Sequence, residues 1–318
     1  MRCSASPCTG CGTDSGEGRT LADADGRFRG RIRPLRTGFT DLIGCELPLQ
    51  LAVLGGVGTA KLAEAVAGAG GLGMAPMGVD LPDQSPGVLG LGFLVPYLPA
   101  LETITERACG VRVVEFFWGE PDARTVSAGH AAGALVSWQV GSAVEAAAAQ
   151  RAGCDIVVIQ GVEAGGHVRG AKPLDVLLRD TVEAVTIPTV AAGGVGTPER
   201  VRALLDAGAD AVRVGTRFLA ASEANVHPDY LAALIASSAA DTVLTGHFET
   251  MGGGRGLCAS SEHRSKGLRP PAIAAPCPPR CGLDTPGTMP WYAGLSVDHV
   301  HKIQAAADIV ADLTSLLR

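Results

Sequence analysis

The sequence contains few aromatic residues, no long apolar run and no excess of positive charge. Aromatic side chains make up 4% of the 318 residues, whereas the hydrophobic fraction is 47% and glycine occurs 43 times. This dominance of small aliphatic residues is typical of parallel sheets that helices cover on both faces. Because no apolar run reaches about 18 residues, no membrane span is predicted. The formal net charge of −6 argues against a nucleic-acid or anionic-membrane partner.

Signals for export and for a disulfide framework are also missing. The first residues lack the apolar core of a secretory signal, and the nine cysteines are scattered and odd in number. We therefore expect a cytoplasmic protein with reduced thiols. Cys8 and Cys11 have the spacing of a metal knuckle, and Cys277 and Cys281 form a second pair far downstream. Zinc would need ligands from both segments, so unpaired thiols are the preferred interpretation and no metal site is predicted.

Three parts of the chain differ in composition. Residues 1–37 are rich in Gly, Ser, Thr, Asp and Arg without a hydrophobic period, which predicts a disordered head. Residues 38–318 are predicted to form one domain. Within this domain, residues 250–290 show little hydrophobic periodicity and are expected to be irregular. Residues 298–317 have the hydrophobic pattern of a helix, which we expect to pack on the domain and close it.

Short apolar runs alternate with helical patterns from residue 40 onward. The predicted strands cover residues 47–54, 70–74, 88–95, 111–117, 134–138, 155–160, 187–192 and 211–214. Thr59, Ser142 and Thr197 each precede a helical pattern and are predicted to begin a helix. A loop replaces the expected helix at residues 76–87. Eight strand–helix units in order predict an α/β fold, the (β/α)8 TIM barrel.

The sixth predicted strand ends in residues suited to chemistry. Gln160 closes the apolar run, and Glu163, Gly165, Gly166 and His167 follow in a glycine-rich segment. Since barrels place active sites at the carboxyl ends of their strands, His167 is the candidate group for proton transfer near neutral pH. A purely structural histidine is the alternative. Glu163 has three open interpretations: positioning His167, binding a ligand hydroxyl, or capping the next segment.

The remaining histidines show no comparable setting. His130 and His227 are expected to be surface or capping residues, and His299 and His301 precede the last helical pattern without partner ligands. The sequence contains two further histidines, His247 and His263.

Strands seven and eight also end in glycines. Gly193 and Gly194 follow the seventh strand, and Gly215 and Thr216 follow the eighth. Loops at these two places often bind phosphate in barrels, because backbone N–H groups approach a ligand closely where no Cβ intervenes. Two ordinary tight turns are the alternative.

These motifs together resemble those of a known family. The run from Gln160 to His167, the Ala-Ala-Gly-Gly ending at Gly194 and the Gly-Thr-Arg-Phe beginning at Gly215 are similar to motifs of the nitronate monooxygenase (2-nitropropane dioxygenase) family. FMN-dependent enoyl-ACP reductases share them. The resemblance covers about residues 40–250 and part of the C-terminal helix.

The resemblance implies an FMN-binding TIM barrel that oxidises alkyl nitronates with O2 to carbonyl compounds and nitrite. Gly193, Gly194, Gly215 and Thr216 would then hold the flavin phosphate, and Gln160 would reach the flavin. The backbone of Ala52 and Val53 would pass beside the ring, Gly165 and Gly166 would belong to the cofactor loop, and His167 would act on substrate. The family's Gln-Ala-Pro-Met of strand one appears as residues 50–53, and Gly92 replaces an Asn frequent in members.

Two other functions stay open at this stage. An NAD(P)H-dependent reductase of enoyl thioesters would use the same flavin and barrel, and the lack of a Rossmann fingerprint does not exclude it. A barrel that binds flavin or phosphate without catalysis is the other. The expected partners are a small-molecule substrate and O2. The sequence does not determine the oligomeric state, so a homo-oligomer remains open.

Overall fold

The computed structural model describes residues 35–245, 257–261 and 291–317. The predicted head lies outside these residues up to position 34, and so does most of the segment 250–290. The two cysteine pairs, His247 and His263 also fall outside. No helix in the described ranges is long and apolar enough to cross a membrane.

Eight parallel strands form a closed barrel, which confirms the predicted fold. The strands of the chain are β1 (Leu49–Leu51), β2 (Leu72–Pro76), β3 (Val88–Leu94), β4 (Val113–Phe117), β5 (Leu135–Val140), β6 (Ile156–Gln160), β7 (Gly166–Val168), β8 (Thr189–Ala192), β9 (Ala211–Val214), β10 (Thr242–Thr245) and β11 (Leu257–Ser261). The barrel order is β1-β2-β3-β4-β5-β6-β8-β9, and β1 pairs with β9 to close it, with Gln50 opposite Arg213.

Helices cover the outside of the barrel. They are α1 (Gly38–Ile43), α2 (Ala60–Gly68), α3 (Leu101–Arg107), α4 (Ala123–Ala131), α5 (Ala143–Ala152), α6 (Leu174–Val182), α7 (Pro198–Asp206), α8 (Thr216–Leu219), α9 (Pro228–Ala236) and α10 (Ala306–Leu313). The side chains of Thr59, Ser142 and Thr197 accept the predicted N-cap hydrogen bonds of α2, α5 and α7. Outward-facing aromatic rings pack under the helices; Phe116 lies 5.7 Å from Phe93 and 5.2 Å from Trp138.

The loop between β2 and β3 contains no helix, as predicted. A groove of about 520 Å³ therefore opens beside the start of β3, lined by this loop and the end of α3. It lies toward the amino-terminal end of the barrel strands, where α1 also packs. Arg112, just before β4, donates to the backbone carbonyl groups of Leu42 and Ile43 in α1.

Several predicted boundaries were wrong. The glycine-rich segment after β6 is not wholly irregular, because β7 forms there and pairs with β11, which pairs in turn with β10. Antiparallel backbone pairing stabilises strands that have no apolar alternation of their own. The pattern of residues 121–132 predicts a helix that includes Pro121, but Pro121 precedes the N-cap of α4, Asp122. The C-terminal helix is shorter than 298–317, since a 3-10 helix occupies Leu295–His299 and α10 begins only at Ala306.

Helix α10 packs on the barrel through contacts with residues of the segment that follows β9. The carboxylate of Glu223 accepts the N–H of Ala306 at the start of α10 at 3.1 Å. Arg217, which is buried, forms an ion pair with Asp312 at 2.8 Å and donates to the carbonyl of Gly196. These contacts give the Gly-Thr-Arg-Phe motif and Glu223 a structural role.

A buried ion pair crosses the interior of the barrel. Glu115 of β4 and Arg213 of β9 approach to 2.7 Å, with side-chain exposures of 1% and 6%. Gln50 donates to Glu115 at 3.0 Å, and Arg213 donates to Gln139 at 2.6 Å. Buried charges require polar partners. The polar side chains of β1, β4, β5 and β9 supply these partners to one another inside the barrel.

We expect Glu115→Gln to destabilise the protein by about 3–5 kcal/mol, because Arg213 would remain buried without an anionic partner. The double variant Glu115→Met/Arg213→Met removes both charges and should cost much less. Urea unfolding followed by circular dichroism gives both values. Equal losses in the single and double variants would contradict a dominant role for charge pairing.

Candidate active site

The loops that follow β6, β8 and β9 meet at the carboxyl-terminal end of the barrel. Gln160, the last residue of β6, is 5% exposed, and its side-chain oxygen accepts the N–H of Arg169 at 3.3 Å. Gly161 donates to the carbonyl of Ala192 at the end of β8. The structure therefore brings the ends of strands six and seven of the barrel together, as the sequence predicted.

His167 lies on β7 and packs against two aromatic rings. Its imidazole is 5.6 Å from the indole of Trp118, nearly perpendicular to it at 83°, and 5.5 Å from the ring of Tyr292. The backbone of His167 is opposite Cys258 of β11. Burial lowers the pKa of His167 below its ordinary value of 6.5. The ring is therefore neutral at neutral pH and able to accept a proton.

Trp118 was not among the residues chosen from sequence. It directly follows β4, is 5% exposed, and has a φ of 70°. Within the described ranges it is the one residue other than glycine with a positive φ. A left-handed conformation costs a residue with a side chain about 1–2 kcal/mol, so the surrounding structure must hold it. No sequence signal predicts this conformation, because tryptophan disfavours it.

Glu163 caps the segment that follows it, which is one of the three interpretations that the sequence left open. Both carboxylate oxygens accept the N–H of Leu174, at 3.0 and 3.1 Å, at the first residue of α6. Pro173 at the N-cap has no side-chain oxygen to accept this hydrogen bond. Glu163 thus fastens the loop that carries His167 to the start of the next helix.

The glycines after β8 have backbone conformations that other residues avoid. Gly193 has a φ of 129° and Gly194 a φ of 65°, and an added Cβ would lie 3.2 Å from the side chain of Glu163 in the case of Gly194. Gly215 is constrained differently, since a Cβ there would lie 3.2 Å from the Cβ of Ala52. These three residues form a rim of backbone without side chains at the carboxyl ends of β8 and β9, in which Gly193 is buried and Gly194 and Gly215 are partly buried.

Thr216 and Gly165 contact the C-terminal segment. The hydroxyl of Thr216 accepts the N–H of Gly294 at 3.0 Å. A Cβ on Gly165 would lie 2.6 Å from that same nitrogen, so Gly165 is required by a close backbone crossing. Gly166, with a φ of 78°, has no atom within 4 Å of an added Cβ and is instead required by its conformation.

Ala52 and Val53 lie where β1 ends. The N–H of Ala52 donates to the carbonyl of Val214 at 2.8 Å, which continues the pairing of β1 with β9. Val53 faces Gly92 of β3, where an added Cβ would lie 2.4 Å from a methyl group of Val53. Val53 and Gly92, the two departures from the family motif, are therefore in contact. The side chain of Val53 fills the space that a side chain at position 92 would occupy.

Three other histidines in the described ranges, His130, His227 and His299, have structural contacts. His130 contacts Asp155 at 2.8 Å, and Nδ1 of His227 accepts the N–H of Asp229 at the start of α9, as expected for a capping residue. His299 packs against Gly196. No group of three or more metal-ligating side chains occurs in the part of the chain that the structure describes.

The fold and the site define an α/β-barrel enzyme with a glycine rim and a neutral histidine at the carboxyl ends of its strands. Residues 95–274 match the family described as nitronate monooxygenase. A nitronate monooxygenase of Pseudomonas aeruginosa is 33% identical over 268 residues, covering 65% of this chain and 76% of that protein. The chain belongs to the nitronate monooxygenase family and is an oxidoreductase.

Solved structures agree with this assignment. FabK from Thermotoga maritima superposes with a TM-score of 0.74 at 26% identity, covering 89% of this chain and 96% of that one. Nitroalkane oxidase from Streptomyces ansochromogenes has a TM-score of 0.69 at 29% identity, covering 88% and 98%. A relative from Rhodococcus jostii, named a dehydrogenase of an indene-carboxyl-CoA compound, is 28% identical over 73% of each chain.

The lowered pKa of His167 predicts a pH dependence of stability. The unfolded chain takes up a proton at this residue near pH 6.5, whereas the native state resists it, so stability present above pH 6.5 is lost as pH falls. His167→Gln should lose less stability than the wild type between pH 8 and pH 5.5. Urea unfolding at both pH values measures this, with His130→Gln as control. A constant difference between wild type and His167→Gln would contradict the prediction.

Proposed function

We propose that the protein is an FMN-dependent oxidoreductase that oxidises alkyl nitronates with O2 to carbonyl compounds and nitrite. The observation that carries the proposal is the partly buried His167 on the loop after β6, at the same end of the barrel as the glycines that follow β8 and β9. A nitronate is a small anion, and its parent nitroalkane is a carbon acid. A neutral imidazole suits both, since it accepts the proton of the acid and donates a hydrogen bond to the anion.

The residues present fit a flavin phosphate. Gly193 and Gly194 combine left-handed backbone with the absence of Cβ atoms, the two features that allow amide groups to surround an anion. Gly215 faces only the small side chain of Ala52 across the rim. The hydroxyl of Thr216 still has its proton to donate, because it acts as acceptor toward Gly294. We assign the phosphate to these four residues.

The other assigned residues would lie around the flavin ring. The flavin, when bound, supplies the electron transfer between substrate and O2. Gln160 is held by Arg169 and keeps its amide N–H groups for the cofactor. The backbone at Ala52 and Val53 would lie beside the ring, and the backbone of Gly165 and Gly166 would contact the cofactor from the loop before His167. His167 would move or hold the proton at its ring nitrogen.

The proposal is tested first by the visible spectrum of the purified protein. We expect a flavin spectrum, and release of nitrite after addition of propyl-2-nitronate in air. Flavin without nitrite would remove the nitronate reaction while keeping the cofactor. A colourless protein that FMN does not reconstitute would remove both.

A reductase of acyl thioesters is the second candidate. It is favoured by the relatives from Rhodococcus jostii and Mycobacterium tuberculosis, both named as dehydrogenases of a carboxyl-CoA compound. The enoyl thioester version of this function would use NAD(P)H as hydride donor. Rapid anaerobic bleaching of the flavin by NAD(P)H would support it, whereas bleaching by nitronate alone would support the first candidate.

Gly194→Val should abolish flavin retention, because the branched side chain would enter the rim and disfavour the left-handed backbone. Gly208→Val is a matched control: Gly208 also has a positive φ, of 100°, but it precedes β9 at the other end of the barrel. Flavin content per protein is measured by absorbance after gel filtration. Full flavin content in Gly194→Val would overturn the phosphate assignment.

His167→Ala should retain flavin and lose activity by on the order of 10²-fold or more, the usual contribution of a positioned proton-transfer group. His130→Ala, which removes an exposed histidine on α4, should leave turnover unchanged. Steady-state nitrite release measures both variants. Unchanged kinetics in His167→Ala would exclude this residue from the mechanism.

A further inference from the structure

The turn after β4 redirects a large side chain. Along β4, Glu115 points into the barrel and Phe116 points outward to pack with Trp138. Because side chains alternate along a strand, an extended residue 118 would also point outward. The left-handed backbone of Trp118 instead brings its indole against His167 at the carboxyl end of the barrel.

Neighbouring contacts hold this turn in place. The indole N–H of Trp138 donates to the carbonyl of Gly119 at 3.1 Å. A Cβ on Gly119 would lie 2.4 Å from a methyl group of Val95, so the turn fits closely against the segment after β3. These contacts hold Trp118 in an unfavourable backbone conformation. Such a conformation in a native structure indicates a functional constraint.

A second set of contacts connects the turn to β7. Arg169, two residues after His167, forms ion pairs with Glu145 at 2.8 Å and with Glu120 at 3.3 Å. Glu120 itself lies two residues after Trp118. The Glu145 contact is the stronger restraint, because Glu145 is 20% exposed and Glu120 is 82% exposed.

We propose that Trp118 is a positioning residue for His167, which holds the imidazole in one orientation and shields one of its faces from water. The proposal rests on the proton-transfer role proposed above for His167. Edge-to-face packing restricts the rotation of the imidazole about its side-chain bonds. Removal of water from the ring favours its uncharged form, so the ring remains a proton acceptor at neutral pH.

The charged groups of the loop that carries His167 have other contacts. Glu163 accepts the N–H of Leu174, and Arg169 is paired with Glu145. The titratable ring of Tyr292 packs 5.5 Å from the imidazole. Burial, to which the indole contributes, is the cause that lowers the pKa of His167.

The test is an NMR titration of the His167 Cε1 proton in the protein as purified, with His167→Gln used for assignment. Trp118→Gly removes the indole and also removes the backbone strain, since glycine adopts a positive φ freely. We expect the pKa of His167 to rise toward its ordinary value in Trp118→Gly and to stay low in Trp118→Phe, which keeps an aromatic ring. The His130 resonance should be unchanged.

An unchanged His167 titration in folded Trp118→Gly would overturn the proposal. If that variant does not fold, judged by circular dichroism and thermal unfolding, Trp118→Asn replaces it, because asparagine also tolerates left-handed backbone. The titration requires no substrate, so it gives an answer even if the protein does not oxidise nitronates. In an active preparation, the acidic limb of the pH–rate profile should move in the same direction as the NMR titration.

Discussion

The parallel pairing of β1 with β9 closes the sheet, and the site depends on that closure. Closure places the carboxyl ends of all eight barrel strands on one rim, where Ala52 of the first strand lies beside Gly215 of the last. An open sheet would leave these residues at opposite edges. The Glu115–Arg213 pair spans the same interior, so the charges that stabilise the barrel also fix the position of β9 and the rim that follows it.

The sequence predicted the parts of the fold in which local and global preferences agree. Apolar runs marked every barrel strand, and hydroxyl side chains marked the starts of three helices, because burial and capping act over a few residues. The loop before β3 was also predicted, since its Pro and Gly residues exclude a helix. The strand β7 was missed because its three residues owe their conformation to pairing with β11, which is far away in the chain.

The positions of the candidate residues were predictable to the same extent. The sequence singled out His167 and the glycines as candidates, because a buried strand that ends in Gly and His is a local pattern. It did not identify Trp118, Tyr292 or the buried Arg213, whose significance depends on contacts made across the barrel. It also could not separate the glycines with positive φ after β8 from Gly165, whose missing Cβ accommodates Gly294.

The close crossing of Gly165 and Gly294 has a consequence for biosynthesis. The candidate site residues Gln160 to Thr216 belong to the barrel, yet Gly294, which contacts both Thr216 and the loop before His167, lies far downstream in the chain. Because a chain is synthesised from its amino terminus, all eight barrel strands exist before the residues around Gly294 do. Until then Thr216 lacks the N–H that donates to its hydroxyl, and the loop that carries His167 lacks the segment that crosses it.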